Sequence, residues 1–389
     1  MAKTNKKDSI ASYVDTIIKD AVDKSASDIH IESLADTARV RFRIDGMLYD
    51  QPLIDEAKKS QVVSRIKVLS HIDISEKRIP QDGKFRITAD GSDIDFRVST
   101  FPSLYGEKVV VRILDRSKTM IQLDALGFTK SMLAHFTKLI ENPSGFILVT
   151  GPTGSGKTTT LYAALSHLNN PQKNIITLED PVEYNLDGIT QGQIHSDAGF
   201  TFERGMRSLL RQDPDIAMVG EIRDKQTAQI AIEAALTGHV VFSTLHTNDS
   251  PGAVMRLMDM TIEPFLINAA LSGVLAQRLV RKICDNCKEV HPPNNQEKKM
   301  LDAFSVKMDR VYRGKGCDQC FGSGYKGRIG IFELLTMSPD LRSLIVQHPK
   351  FDDIKAQAVS DGTKAMISDG IEKVKEGIVS LDELFRVVW

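Results

Sequence analysis

The segment Gly151-Pro152-Thr153-Gly154-Ser155-Gly156-Lys157-Thr158-Thr159 concentrates the residue types that hold a polyphosphate. Its three glycines let successive backbone N–H groups turn inward toward anionic oxygens. Lys157 reaches the β- and γ-phosphates, and the Thr158 hydroxyl is a ligand for Mg2+. The apolar run Gly145–Thr150 has the composition of a buried strand. Residues 156–168 continue as a helix whose N-terminal dipole faces the phosphates. In this strand–loop–helix setting the loop implies binding of ATP with Mg2+.

Hydrolysis also needs carboxylates. Asp215-Ile-Ala-Met-Val-Gly220-Glu221 is an apolar strand that brings an acid to its C-terminal end, with Gly220 in the place where the acid usually stands. One carboxylate does not readily both hold magnesium and polarise the attacking water, so a second acid is expected. The segment Ile176-Thr-Leu-Glu179-Asp180-Pro-Val-Glu183 supplies candidates. Glu179 is assigned as general base or water-positioning group, and Glu221 to the magnesium shell with Thr158. Glu183 fits a solvated loop acid equally well. A further strand, His239–Thr244, runs into His246 and Asn248 at the edge where parallel strands converge on a ligand. His246 there is a candidate donor to the γ-phosphate, although a lone histidine is more often structural.

The four cysteines fall as Cys284-x-x-Cys287 and Cys317-x-x-Cys320. In a reducing compartment this spacing points to tetrahedral Zn2+ rather than to disulfides. Four thiolates leave no open position, so the site is structural.

The elements that position these groups follow from periodicity. Apolar residues Ile10, Tyr13, Val14, Ile17, Ile18, Ala21 and Val22 predict an amphipathic helix over 8–24. Strand patterns at Ser27–Ile31, Ala38–Ile44 and Asp93–Ser99 follow, with turns expected at Gly46, Gly83 and Gly91. This predicts an N-terminal α/β domain over 1–114, joined by a polar linker over 115–122. Beyond it, strands at 174–178, 215–219 and 239–244 alternate with helices at 202–211 and 225–236. Such alternation predicts a mainly parallel sheet flanked by helices. The cysteine module occupies 283–328, and residues 338–389 are expected to be helical.

At 389 residues the chain is long enough for two or three domains. Its 41% hydrophobic and 26% charged composition is that of a core-forming protein, and a net charge of −1 calls for neither nucleic acid nor anionic lipid. No apolar run approaches the roughly 18 residues that span a bilayer, and no apolar signal core follows the N-terminus. A cytoplasmic location is expected.

Taken together, these motifs resemble the ATPases of type II secretion and type IV pilus assembly. The resemblance rests on Ala26-Ser-Asp-Ile-His-Ile-Glu32, Pro80-Gln-Asp-Gly83, Arg97-Val-Ser-Thr100, the phosphate loop and the acidic segment 176–183. It rests also on Arg211-Gln-Asp-Pro-Asp-Ile216, Gly220-Glu-Ile-Arg-Asp224 and Ser243-Thr-Leu-His-Thr-Asn248. It implies an α/β fold: a RecA-like P-loop NTPase core over 123–389 behind a small PAS-like α/β domain. It implies a homohexameric motor at the inner membrane that pushes on a platform protein, with ATP at or near subunit interfaces. Arginines matching the family's phosphate contacts are Arg97 and Arg112 in the first domain and Arg207 and Arg211 in the second. The cysteine module resembles the zinc insertion of the assembly and secretion branch, which retraction motors generally lack. Many members carry a further N-terminal domain that docks on the platform; here the first residues lead directly into the small α/β domain. A retraction motor, a conjugative DNA translocase and a phosphotransferase are the competing readings. No nucleic-acid-binding motif and no second-substrate pocket is recognisable.

Overall fold

The computed structural model describes residues 9–89, 92–115 and 121–388. The chain divides into two compact units, residues 1–119 and 120–389. Most of the expected linker, and Gly91, lie outside the described residues.

In the first unit, helix α1 (Ile10–Asp23) starts where the Ser9 hydroxyl accepts from Ser12 N–H, and it buries Val14, Ile18 and Ala21. Strands β1 (Asp28–Ser33), β2 (Thr37–Ile44), β3 (Met47–Asp50) and β4 (Ile54–Asp55) precede helix α2 (Glu56–Leu69). Strands β5 (Gln81–Ala89), β6 (Ser92–Ser103) and β7 (Gly106–Asp115) complete an antiparallel sheet in the order β3-β2-β1-β7-β6-β5, with β4 beside β2. Register places Phe42, Ile29, Val111 and Val98 in one row, and these join the core with α1 and α2. The turn expected at Gly83 is not there. Gly83 pairs with Val98 inside β5, and a side chain on it would collide with the Ser70 carbonyl and Ile72. Glycine serves close approach here rather than a turn. The neighbouring row, on the opposite face, reads Lys84, Arg97, Arg112, Asp28, Arg43.

The second unit opens with α3 (Lys130–Ile140), β8 (Gly145–Thr150), α4 (Lys157–Leu168), β9 (Ile175–Glu179), β10 (Thr190–Gln193), α5 (Phe202–Leu209) and β11 (Ile216–Val219). It continues with α6 (Lys225–Leu236), β12 (Val240–Leu245), α7 (Ser250–Asp259), α8 (Pro264–Ala270) and β13 (Leu271–Ile283). The sheet order is β10-β9-β11-β12-β8-β13-β16, parallel except for the pairing of β13 with β16 (Tyr325–Thr336). Every residue of β8 is buried. Phe146 and Leu148 face the cluster that includes α6 and α7, while Ile147 and Val149 face the one that includes α3 and α4. Coverage on both faces explains the unbroken apolar runs of these strands. In this unit the expected strands and helices occur within a residue or two of their expected ends, whereas in the first unit β6 runs four residues past the expected Ser99. The cysteine module, with β14 (Lys288–His291), α9 (Asn295–Ala303) and β15 (Val311–Gly314), is inserted between β13 and β16. Four helices follow: α10 (Pro339–Ile345), α11 (Phe351–Ser360), α12 (Met366–Lys375) and α13 (Leu381–Val388).

Candidate active site

The phosphate loop joins β8 to α4. Gly151 adopts φ +150°, and a side chain there would strike the Gln277 carbonyl and the Ser155 hydroxyl. The turn therefore requires a residue without Cβ. Gly156, at φ +88°, caps α4. The loop is tied down from two sides. The Gln277 amide on β13 donates to Ser155 O at 2.7 Å, and the Thr150 and Thr247 hydroxyls meet at 2.8 Å. Lys157 Nζ folds over the loop and donates to Gly151 O at 2.8 Å and Pro152 O at 3.2 Å. Burial pushes the Lys157 pKa down, opposed by the nearby Glu221 carboxylate. Thr158 is exposed at the start of α4.

The cradle fits a phosphate chain. Ser155 Oγ is buried with no hydrogen-bond partner among the described residues. A buried hydroxyl at the floor of an amide-lined loop, beside a lysine, is what an anionic oxygen would satisfy.

Glu221 lies two residues past β11. Its carboxylate pairs with Arg223, and its second oxygen is 3.6 Å from His246 Nε2. Lys157, Glu221 and His246 are thus brought together at the C-terminal edge of the sheet, where a topological crevice receives ligands. Arg223 went unremarked in the sequence although it stands within the quoted Gly220–Asp224 motif. Gln277 gave no signal, because its contact with the loop depends on how β13 packs beside β8.

Glu179 meets a different geometry from the one expected of a general base. It is 3% exposed, and both carboxylate oxygens are engaged. One accepts from the Tyr162 hydroxyl; the other accepts from Thr177 Oγ1 at 2.6 Å and Gln191 Nε2 at 3.1 Å. Its side chain turns into the protein because β9 alternates, and residues 177 and 179 share the face covered by α4. The exposed acid of this segment is Asp180, whose charge acts on Arg223; Glu183 is half-buried.

The arginines divide. Arg207 pairs with Glu203 at 3.3 Å, and Arg211 donates to Arg207 O at 2.6 Å. Arg97 and Arg112 stand directly opposite each other on β6 and β7, and Arg112 Nε donates to Asp28 at 3.2 Å.

In the cysteine module all four sulfurs lie within 4.8 Å of one another. The separations are 3.8 Å for Cys284–Cys317, 3.8 Å for Cys287–Cys320 and 3.7 Å for Cys317–Cys320. Tetrahedral zinc with bonds of about 2.3 Å sets sulfurs about 3.8 Å apart, far beyond the roughly 2.05 Å of a disulfide. The four sulfurs therefore fit Zn2+. An amide donated by Asn286 draws the Cys317 thiol down to about 6, toward the thiolate a metal requires, whereas burial pushes the Cys284 and Cys287 thiols up.

A parallel sheet with this loop between β8 and α4, and an acid following β11, two strands away, whose charge acts on the lysine, defines a P-loop ATPase. The family described as "Type II/IV secretion system protein" matches residues 3–386, and the chain belongs to it. It is 48% identical over 378 residues to the type II secretion system ATPase E of Vibrio cholerae, covering 97% of this chain and 75% of that one. It is 46% identical over 390 residues to the type IV pilus assembly ATPase PilB of Myxococcus xanthus, covering 99% and 69%. Among solved structures, the pilus retraction motor PilT with bound ADP matches at a TM-score of 0.64 and 26% identity, covering 95% of each chain.

Proposed function

We propose that this chain is a motor that hydrolyses ATP to drive assembly of a type IV pilus or a type II secretion pseudopilus. It works as a ring of six, on the cytoplasmic side, against a platform protein of the inner membrane. The observation that carries this reading is the identity of 46–48% across nearly the whole chain to two assembly and secretion ATPases. No helix among the described residues is long and apolar enough to cross a membrane, which suits attachment through partners. The tetracysteine cluster favours the assembly branch over retraction.

In this reading the loop amides, the Ser155 hydroxyl and Lys157 bind the phosphates. Glu221 orients the attacking water, the role first expected of Glu179. Thr158, with Asp180 and Glu183 through water, would hold Mg2+, which offsets charge on the β- and γ-oxygens. His246 donates toward the γ-phosphate. Arg97 and Arg112 neutralise developing charge when the first unit is docked, and Arg207 and Arg211 serve the assembled ring. Zn2+ at the four cysteines is structural.

The test is genetic and biochemical together. Expression of this chain should restore pili or secretion in a host lacking its assembly ATPase, while Lys157→Ala should not. Restoration of retraction alone in a retraction-deficient host would replace this reading with the retraction motor.

A further inference from the structure

The acidic loop after β9 is attached to the phosphate-loop helix through one hydroxyl. Tyr162 is fully buried on α4. Its hydroxyl donates to the Glu179 carboxylate and accepts from Glu183 N–H at 3.4 Å and from Gln191 Nε2 at 3.3 Å. It thereby holds the loop at two points: the Glu179 side chain where the loop begins and the main chain at Glu183, four residues on. Gln191, on edge strand β10, closes the arrangement by donating also to Glu179 Oε1 at 3.1 Å and Tyr184 O at 3.2 Å, and by accepting from Leu186 N–H at 2.7 Å. The Tyr184 ring packs edge-on against Tyr162, with centroids 4.7 Å apart.

Tyr162 lies one helical turn beyond Thr158 on the same side of α4. The hydroxyl therefore fixes the acidic loop against the stretch of helix that starts at Lys157 and Thr158. Burial and the adjacent Glu179 carboxylate keep the phenol protonated, so it remains a donor.

We propose that Tyr162 is a positioning residue for hydrolysis: it holds Asp180 and Glu183 at a set distance from Thr158, and Gln191 locks that clamp. The inference rests on the reading of the site given above. The hydroxyl joins the helix that carries Lys157 and Thr158, the loop that carries Asp180 and Glu183, and edge strand β10. A loop displaced by about 1 Å is enough to cost on the order of a hundredfold in rate.

The experiment uses the full chain. Tyr162→Phe keeps the ring and removes the hydroxyl. Phosphate release at saturating ATP should fall at least tenfold, while affinity for a fluorescent ATP analogue stays within twofold. The Mg2+ concentration for half-maximal rate should rise. Turnover within threefold of the parent overturns the proposal, as does a loss of nucleotide affinity equal to the loss of turnover. If Tyr162→Phe does not fold, as judged by circular dichroism, Gln191→Met decides by the same two criteria. Glu221→Gln runs alongside. Parental turnover in Glu221→Gln defeats the reading of the site itself. An inactive Glu221→Gln beside a fully active Tyr162→Phe defeats only the clamp.

Discussion

Glu221 faces Arg223, His246 and Lys157, all with substantial access to solvent or to the cradle. A charge held among exposed donors can exchange them for a nucleotide's water shell at little cost. Replacing it with glutamine should leave thermal stability unchanged and reduce phosphate release by about 10²–10⁴-fold, the usual range for loss of a positioned acid–base group. Glu179 belongs to another regime. Its carboxylate accepts three bonds in a buried place, and an amide keeps only one acceptor oxygen, so its NH2 is set either against the Tyr162 donor or against those of Thr177 and Gln191. Glu179→Gln should therefore cost about 1–3 kcal/mol of stability. Paired melting curves and turnover numbers for the two variants check this contrast; a Glu221→Gln protein that melts as early as Glu179→Gln contradicts it. Lys157→Ala should abolish hydrolysis, because the loop then loses the ammonium that lies over it.

Among the elements, the β13–β16 hairpin links two sites of different purpose. Gln277, opposite Phe332, braces the phosphate loop, whereas the cysteines begin after Ile283, opposite Tyr325. Six residues of strand separate them, roughly 20 Å at ~3.3 Å per residue. Elemental analysis should find one zinc per chain. Cys317→Ser should lose it and loosen the insertion, yet keep affinity for a fluorescent nucleotide within about twofold. In the first unit, Lys67 on α2 is 1% exposed and pairs with Glu107 on β7 at 2.6 Å. Lys67 Nζ also donates to Glu76 O at 2.6 Å. Lys67→Met would strand a buried carboxylate, and should cost about 3–5 kcal/mol in denaturant unfolding.

At the scale of the whole molecule, each unit has its own core, one around Phe42 and Phe96 and the other around the parallel sheet. Residues 120–389 should consequently fold alone and bind nucleotide, since the loop and Glu221 lie within them. If Arg97 and Arg112 complete the site from the first unit, the isolated piece should hydrolyse ATP ~10³-fold more slowly. Arg97→Ala and Arg112→Ala in the full chain should mimic that loss while sparing affinity. Full turnover by residues 120–389 would assign the needed arginines to the second unit.

The amino-acid sequence by itself determined what local pattern can encode. The loop Gly151–Thr159 needs only its glycines, lysine and flanking periodicity to declare a phosphate cradle. The unbroken apolar runs within β8 and β11 announce a sheet covered on both faces. The cysteine spacing announces a metal site, because chelation depends on ligands close in sequence. Tertiary structure decided which of two acids faces the cradle. Glu179 ends one apolar strand and Glu221 follows another, and only the alternation of β9 against α4 turns the first inward. It also decided the neighbours: Gln277 reaches the loop from more than a hundred residues away, and Gly83 lies under the end of α2 rather than in a turn. Such contacts are set by the register of strands distant along the chain, and a periodicity of two or 3.6 residues carries no record of that register.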